Sequence, residues 1–305
     1  TKDETFAVRW RLEPKNSADA KRQQRGERIE PARPIVFYID PATPLKWRNY
    51  LKQGVEDWKP AFEQAGWQNA IQAKDWPEND TTMSLEDARF SVIRYFASDI
   101  ENAYGPNVSD PRSGEIIESH IGWYHNVMKL LKKWYSTQTA AVDARARKNE
   151  FDDALMGQLV RFVSAHEVGH TLGLRHNFRA SRWRTNAELN DLELTEKYGN
   201  SASVMDYAPI NLPLPGQKAG APFQTTLGPY DYWAIEYGYK SVPEGKDGEQ
   251  ALRELAQRSD EPAHAWDLAY GSDEDSAFGL DPESLTFDLG RDPIAFAQTR
   301  MAIVK

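Results

Sequence analysis

The stretch Ser164-Ala165-His166-Glu167-Val168-Gly169-His170-Thr171-Leu172-Gly173-Leu174-Arg175-His176-Asn177 holds the residue types and spacing of a metal site with a base beside it. Side chains four apart share one face of a helix, so His166 and His170 can offer two imidazoles to one ion. Glu167, one residue on from His166, reaches a metal-activated water while leaving coordination to the histidines. Gly173 lets the chain leave the helix, because glycine takes the left-handed conformation at helix ends without steric cost. The turn that follows can swing His176 back as a third ligand. Three histidines leave a fourth tetrahedral position for water, the pattern of catalytic rather than structural zinc. A bare H-E-x-x-H also suits two solvated histidines on an exposed helix, and Gly173 with His176 weighs against that.

The positioning elements can be read outward from this stretch. Leu155, Leu159, Phe162, Val163, His166 and His170 follow helical spacing, so an apolar stripe runs into the ligands of a helix over about 153–172. Upstream, 34–39 reads as a buried strand. Thr43 and Pro44 mark a helix start. Trp47, Leu51, Val55, Trp58 and Phe62 then form one stripe of a long helix over 45–65, kinked at Pro60 and closed by Gly66. Residues 88–97 read as a second strand, 104–114 as a loop ending in a tight turn, and 115–124 as a further strand. His120 and His125 fall on opposite faces of that strand, which favours ordinary packing over a second metal site. A charged helical insertion is expected over 127–151.

Periodicity thins after His176 until Ser203-Val204-Met205-Asp206-Tyr207, and prolines and glycines make an irregular segment beyond it. Helices are expected over 228–237, 249–257 and 292–305. The acidic run Ser272-Asp273-Glu274-Asp275 reads as a solvated loop, with Ca2+ binding possible in principle but unsupported. The 305 residues carry a formal charge of -9, which argues against nucleic acid as a partner. The sequence has no cysteine, so zinc must use histidine, carboxylate or phenolate. No apolar run is long enough for a membrane span. The chain opens with Thr1 and its last expected helix reaches Lys305 uncapped, so a processed or excised piece of a longer protein is expected.

With these residues in view, the chain resembles a metzincin, the clan of zinc metallopeptidases with an H-E-x-x-H-x-x-G-x-x-H helix and a methionine-containing turn. His166, Glu167, His170, Gly173 and His176 match the first motif, and Ser203-Val204-Met205-Asp206-Tyr207 resembles the S-x-M-x-Y Met-turn. The likeness covers roughly 34–239. Within the clan the chain is most similar to the bacterial Met-zincin domain of large secreted metalloproteases. Gly54-Val55-Glu56-Asp57-Trp58, Asp110-Pro111-Arg112-Ser113-Gly114-Glu115-Ile116 and Leu227-Gly228-Pro229-Tyr230-Asp231 suggest this. Asn177 departs from the astacins, which carry glutamate there.

The resemblance implies an α+β fold: a twisted mixed sheet with a backing helix and a zinc helix, above a mostly irregular C-terminal subdomain with a Met-turn and terminal helix. The domains expected are an arm over 1–30, a catalytic domain over 31–240 (upper part 31–173, lower part 174–240) and a truncated helical extension over 241–305. It implies one Zn2+ on His166, His170 and His176, an apolar floor at Met205, and Tyr207 as displaceable ligand or oxyanion donor. A peptide or protein substrate would lie along an edge strand at 115–124, with 208–215 walling a side-chain pocket. The function expected is a zinc metalloendopeptidase in which Glu167 acts as general base and acid toward a zinc-activated water. Alternatives are a non-catalytic zinc-bearing binding module and a zinc amidase for glycopeptide or cell-wall peptide. A secreted, periplasmic or cell-surface setting follows from the likeness; oligomeric state does not.

Overall fold

The computed structural model describes all residues except 1–6, 78, 142, 209, 212–215, 217, 225, 243–244, 273, 275–278 and 305. The strands among these are β1 (Arg9–Trp10), β2 (Ile35–Ile39), β3 (Ile71–Asp75), β4 (Ser91–Phe96), β5 (Ala103–Tyr104), β6 (Val108–Ser109), β7 (Glu115–Glu118) and β8 (His120–Tyr124). They form a five-stranded sheet in the order β3-β2-β4-β8-β5 and a three-stranded sheet in the order β1-β7-β6. In the larger sheet β3, β2, β4 and β8 run parallel, and β5 turns antiparallel against β8. Parallel strands are covered on both faces. That is why the adjacent Val92 and Ile93 are both buried, while β2 fully encloses one face, at Ile35, Phe37 and Ile39, and half-buries the other. The architecture is mixed α+β, with several helices around mixed sheets.

Three expectations are corrected by this topology. Residues 115–124 are two strands, because Ser119 breaks the run: its amide donates to Ser91 Oγ (3.1 Å) and its hydroxyl to Pro106 O (2.5 Å). Neither half is an edge, since β7 lies between β1 and β6, and β8 between β4 and β5. The edges of the larger sheet are β3 and the short antiparallel β5. Residues 45–65 are two helices, Leu45–Glu56 and Lys59–Gln64. Pro60 sits in the first turn of the second, where its missing amide removes no helical hydrogen bond. The insertion over 127–151 is a helix only over Val127–Thr139, followed by a short 3-10 turn at Ala144–Arg147.

The chain divides into two compact units. The first comprises Thr1–Val127, Val163–Leu174 and Ala234–Leu255 and holds both sheets. Its core includes the fully enclosed Phe37, Leu51, Trp58, Phe62, Trp67 and Trp123. Buried Tyr239 ties three segments together: its hydroxyl donates to Leu172 O (2.8 Å) and accepts from Trp10 N (3.2 Å), and its carbonyl accepts from Trp67 Nε1 (2.7 Å). The first thirty residues also supply a helix, Ser17–Gln24, capped by Asn16.

The second unit comprises Met128–Phe162, Arg175–Trp233 and Ala256–Lys305. Tyr135 is enclosed there, donating to Asp143 (2.6 Å) and meeting Phe151 and Phe223 edge-on. Two helices, Asn186–Leu189 and Leu192–Tyr198, interrupt the stretch expected to be irregular. Their start signals are side-chain caps rather than apolar stripes: a Thr185–Glu188 capping box and Asp191 on Leu194 N.

Candidate metal centre

The motif helix runs Asp153–Thr171 and is started by Asp152, whose carboxylate accepts from Leu155 N (2.8 Å). Of its expected apolar stripe Leu155 and Leu159 are enclosed while Phe162 and Val163 are half-buried; Val160, Ala165 and Val168 are enclosed beside them. Two long-range bonds hold the turn that carries the first ligand. Ser164 Oγ donates to Leu51 O (2.9 Å), and Trp58 Nε1 donates to Ala165 O (2.9 Å). The break at residues 57–58 therefore places an indole where it can grip the motif helix.

The helix ends as the glycine predicts. Gly173 N donates to His170 O (3.0 Å) and Leu174 N to Gly169 O (3.1 Å), with Gly173 at φ 93°, the pattern of a Schellman cap. A Cβ at Gly173 would lie 2.2 Å from Val8 O, so sterics as well as φ demand glycine there. Beyond that turn, the candidate nitrogens of His166, His170 and His176 all lie within 4.8 Å of one another. Among the described residues no other trio of His, Asp or Glu side chains is gathered in this way.

The donor chemistry fits zinc. His170 Nδ1 is 3.0 Å from Leu174 O, and a carbonyl can only accept, so Nδ1 carries the proton and Nε2 keeps a lone pair for a metal. Nδ1 of His176 meets the carboxylate of Glu274, which gives the same tautomer. Glu167 is buried beside His166, and burial pushes its pKa up to about 8 against a single backbone hydrogen bond from Gly105. A nearby cation would draw that value down again. Gly105 directly follows β5, so the sheet's edge reaches the carboxyl group.

The expected Met-turn is held from two sides. Met205 is fully buried; its carbonyl accepts from Asn177 N (3.0 Å), the residue after His176, and its amide donates to Ser203 Oγ (3.0 Å). Asp231 clamps the same turn, accepting from Ser203 Oγ (2.5 Å), Val204 N (2.9 Å) and Gly228 N (2.8 Å). Enclosure pushes the Asp231 pKa up to about 7 despite those donors. Asp206 accepts from Ser181 N (2.7 Å), Asp288 from Ser181 Oγ (2.8 Å), and burial raises the pKa of both carboxyl groups. Tyr207, partly exposed, sets its ring 4.5 Å from that of His176, with Phe178 at 5.3 Å.

The two histidines of the 115–125 stretch have local partners. His120 Nε2 lies 3.1 Å from Phe90 O and His125 Nδ1 lies 2.5 Å from Tyr95 Oη, each engaged locally. Within the expected wall over 208–215, residues 209 and 212–215 lie outside the described residues, as do Asp273 and Asp275 of the acidic run. Glu274 and the clamping role of Asp231 were missed. Asp231 stood in a family-like string but its spacing announces nothing, and Glu274 showed only its charge.

The family described as Met-zincin matches residues 148–305, just over half of the 305. The solved structure of Myroilysin is similar at 15% identity, covering 77% of this chain and 92% of that one. Its TM-score of 0.30 is too low for a structural argument. No curated protein matches the chain.

Proposed function

The chain belongs to the Met-zincin family, and from that premise we propose that it is a zinc metalloendopeptidase cutting peptide bonds within extended substrates. His166, His170 and His176 would hold the ion. When bound, zinc supplies Lewis acidity that polarises a carbonyl and brings water's pKa to about 7. Glu167 accepts the proton of the attacking water at its carboxylate and delivers it to the departing amine nitrogen. Its enclosed position beside His166 supports the first step, because burial makes a carboxylate a stronger base. Tyr207, its ring against that of His176, donates from its hydroxyl to the oxyanion. The substrate adds as an extended strand beside β5, whose following residue Gly105 bonds Glu167.

Glu167 is the observation that carries this reading: a site built only to hold zinc needs no buried carboxylate next to a ligand. The setting we propose, secreted, periplasmic or cell-surface, rests on the family likeness. Among the described residues no helix is long and apolar enough to cross a membrane. The test is digestion of an unfolded protein and a peptide library by the zinc-loaded chain, with Glu167→Gln alongside. Internal cleavage that falls roughly 10²–10⁴-fold in the variant at equal zinc content supports the proposal. Equal rates in the two proteins, or release of terminal residues alone, count against it.

A further inference from the structure

His176 differs from the other two histidines in what holds it. His166 and His170 stand on a helix pinned by Ser164 and Trp58, whereas His176 follows the glycine turn on irregular backbone. Its ring must be oriented by its surroundings. Phe178 stacks on it at 5.2 Å and 17°, Tyr207 meets it at 4.5 Å, and the Glu274 carboxylate takes its Nδ1. The second oxygen of Glu274 accepts from Arg175 Nη2 at 3.3 Å, so the carboxylate is itself aimed. The ring is well enclosed, with a side-chain exposure of 13%.

We propose that Glu274 is a positioning residue for the metal, acting through His176. The inference rests on the zinc reading of the three histidines. The carboxylate holds Nδ1–H, turns Nε2 toward the ion and makes that imidazole a better electron donor, because its negative charge stabilises the partial positive charge the ring gains on coordination. A carbonyl partner such as Leu174 O on His170 orients a ring equally well but adds no full charge. The third ligand, least constrained by its backbone, is thus given an anionic partner. Glu274 is 98 residues away in sequence and comes from the acidic run that reads as solvated loop.

Zinc affinity, measured by competition with a chromophoric chelator, tests this on the wild-type chain, Glu274→Ala, Glu274→Gln and His176→Ala. Thermal melts of the metal-free proteins run in parallel. The expected result is about a 10–100-fold weaker zinc Kd for Glu274→Ala. Glu274→Gln, which keeps an acceptor without the charge, falls between, and the metal-free melting temperatures stay together. If His176→Ala weakens zinc but both Glu274 variants bind as wild type does, this inference fails while the zinc reading stands. Tighter zinc or faster turnover in Glu274→Ala overturns it too, since Glu274 would then be competing for the site. If the wild type takes up no zinc, or His176→Ala binds as tightly, the zinc reading itself fails.

Discussion

Replacing Asp231 by asparagine tests the energetics of the clamp under the Met-turn. The side chain is fully buried and accepts from Ser203 Oγ at 2.5 Å, Gly228 N at 2.8 Å and Val204 N at 2.9 Å. Enclosure outweighs those donors and moves its pKa from 3.8 to about 7. Between these values the folded chain keeps a proton that the unfolded chain has released. The stability from this group is therefore complete below the unfolded pKa and is lost as pH rises through the folded one. At roughly 1.4 kcal/mol per unit, lowering the pH from 8 to 5 recovers about 2–3 kcal/mol. Asparagine has nearly the same shape and cannot ionise, so it lacks this dependence. Urea unfolding of both metal-free proteins across that pH range gives the difference from midpoints and slopes. Wild type should gain about 2–3 kcal/mol on Asp231→Asn as the pH falls. A difference that stays flat, or moves the other way, would show the carboxylate to be an ionised anchor held at no cost by its three donors.

Three further substitutions probe the parts around the centre. Gly173→Ala should destabilise the chain by roughly 2–4 kcal/mol and weaken zinc, because the left-handed φ and the approach of Val8 O both exclude a Cβ. An unchanged melting temperature would show that turn to be looser than described. Gly105→Ala would put a Cβ 2.2 Å from Glu167 O, so β5 must move off the motif helix. KM should rise and kcat fall at constant zinc content, and an unaffected kcat/KM would retire β5 as the substrate edge. Asn177→Asp removes the donor that reaches Ala269 O (2.9 Å) while Oδ1 still takes Gly271 N (3.1 Å). Setting a buried carboxylate against a carbonyl should cost roughly 2–4 kcal/mol in thermal or urea unfolding, and wild-type stability would refute that placement.

Legibility in the sequence followed the range of the interaction. The motif helix, expected over 153–172, is found at Asp153–Thr171 because its stripe, ligands and terminating glycine are all local signals. The break at Asp57–Trp58 was hidden because the stripe of Trp47, Leu51, Val55, Trp58 and Phe62 continues in phase across it, and Pro60 fits either a kink or a new start. The apolar residues of 115–124 likewise do not say which sheet a strand joins: Ile116 is buried and Ile117 exposed in β7, while Ile121 and Trp123 are both buried in β8. The helices at 186–189 and 192–198 were missed through attention to apolar periodicity, although Thr185 with Glu188 spells their entry. Asp231 and Glu274 find their partners 28 and 98 residues away, and no local pattern encodes that.

The central claim is that three imidazoles converge on one zinc ion and leave it open to water. Zinc K-edge X-ray absorption of the zinc-loaded chain reads that first shell directly. Three imidazole nitrogens at about 2.0–2.1 Å with multiple-scattering features are expected, plus one further light atom from solvent. A shell with two imidazoles, or one whose fit is unchanged by His176→Ala, would contradict it.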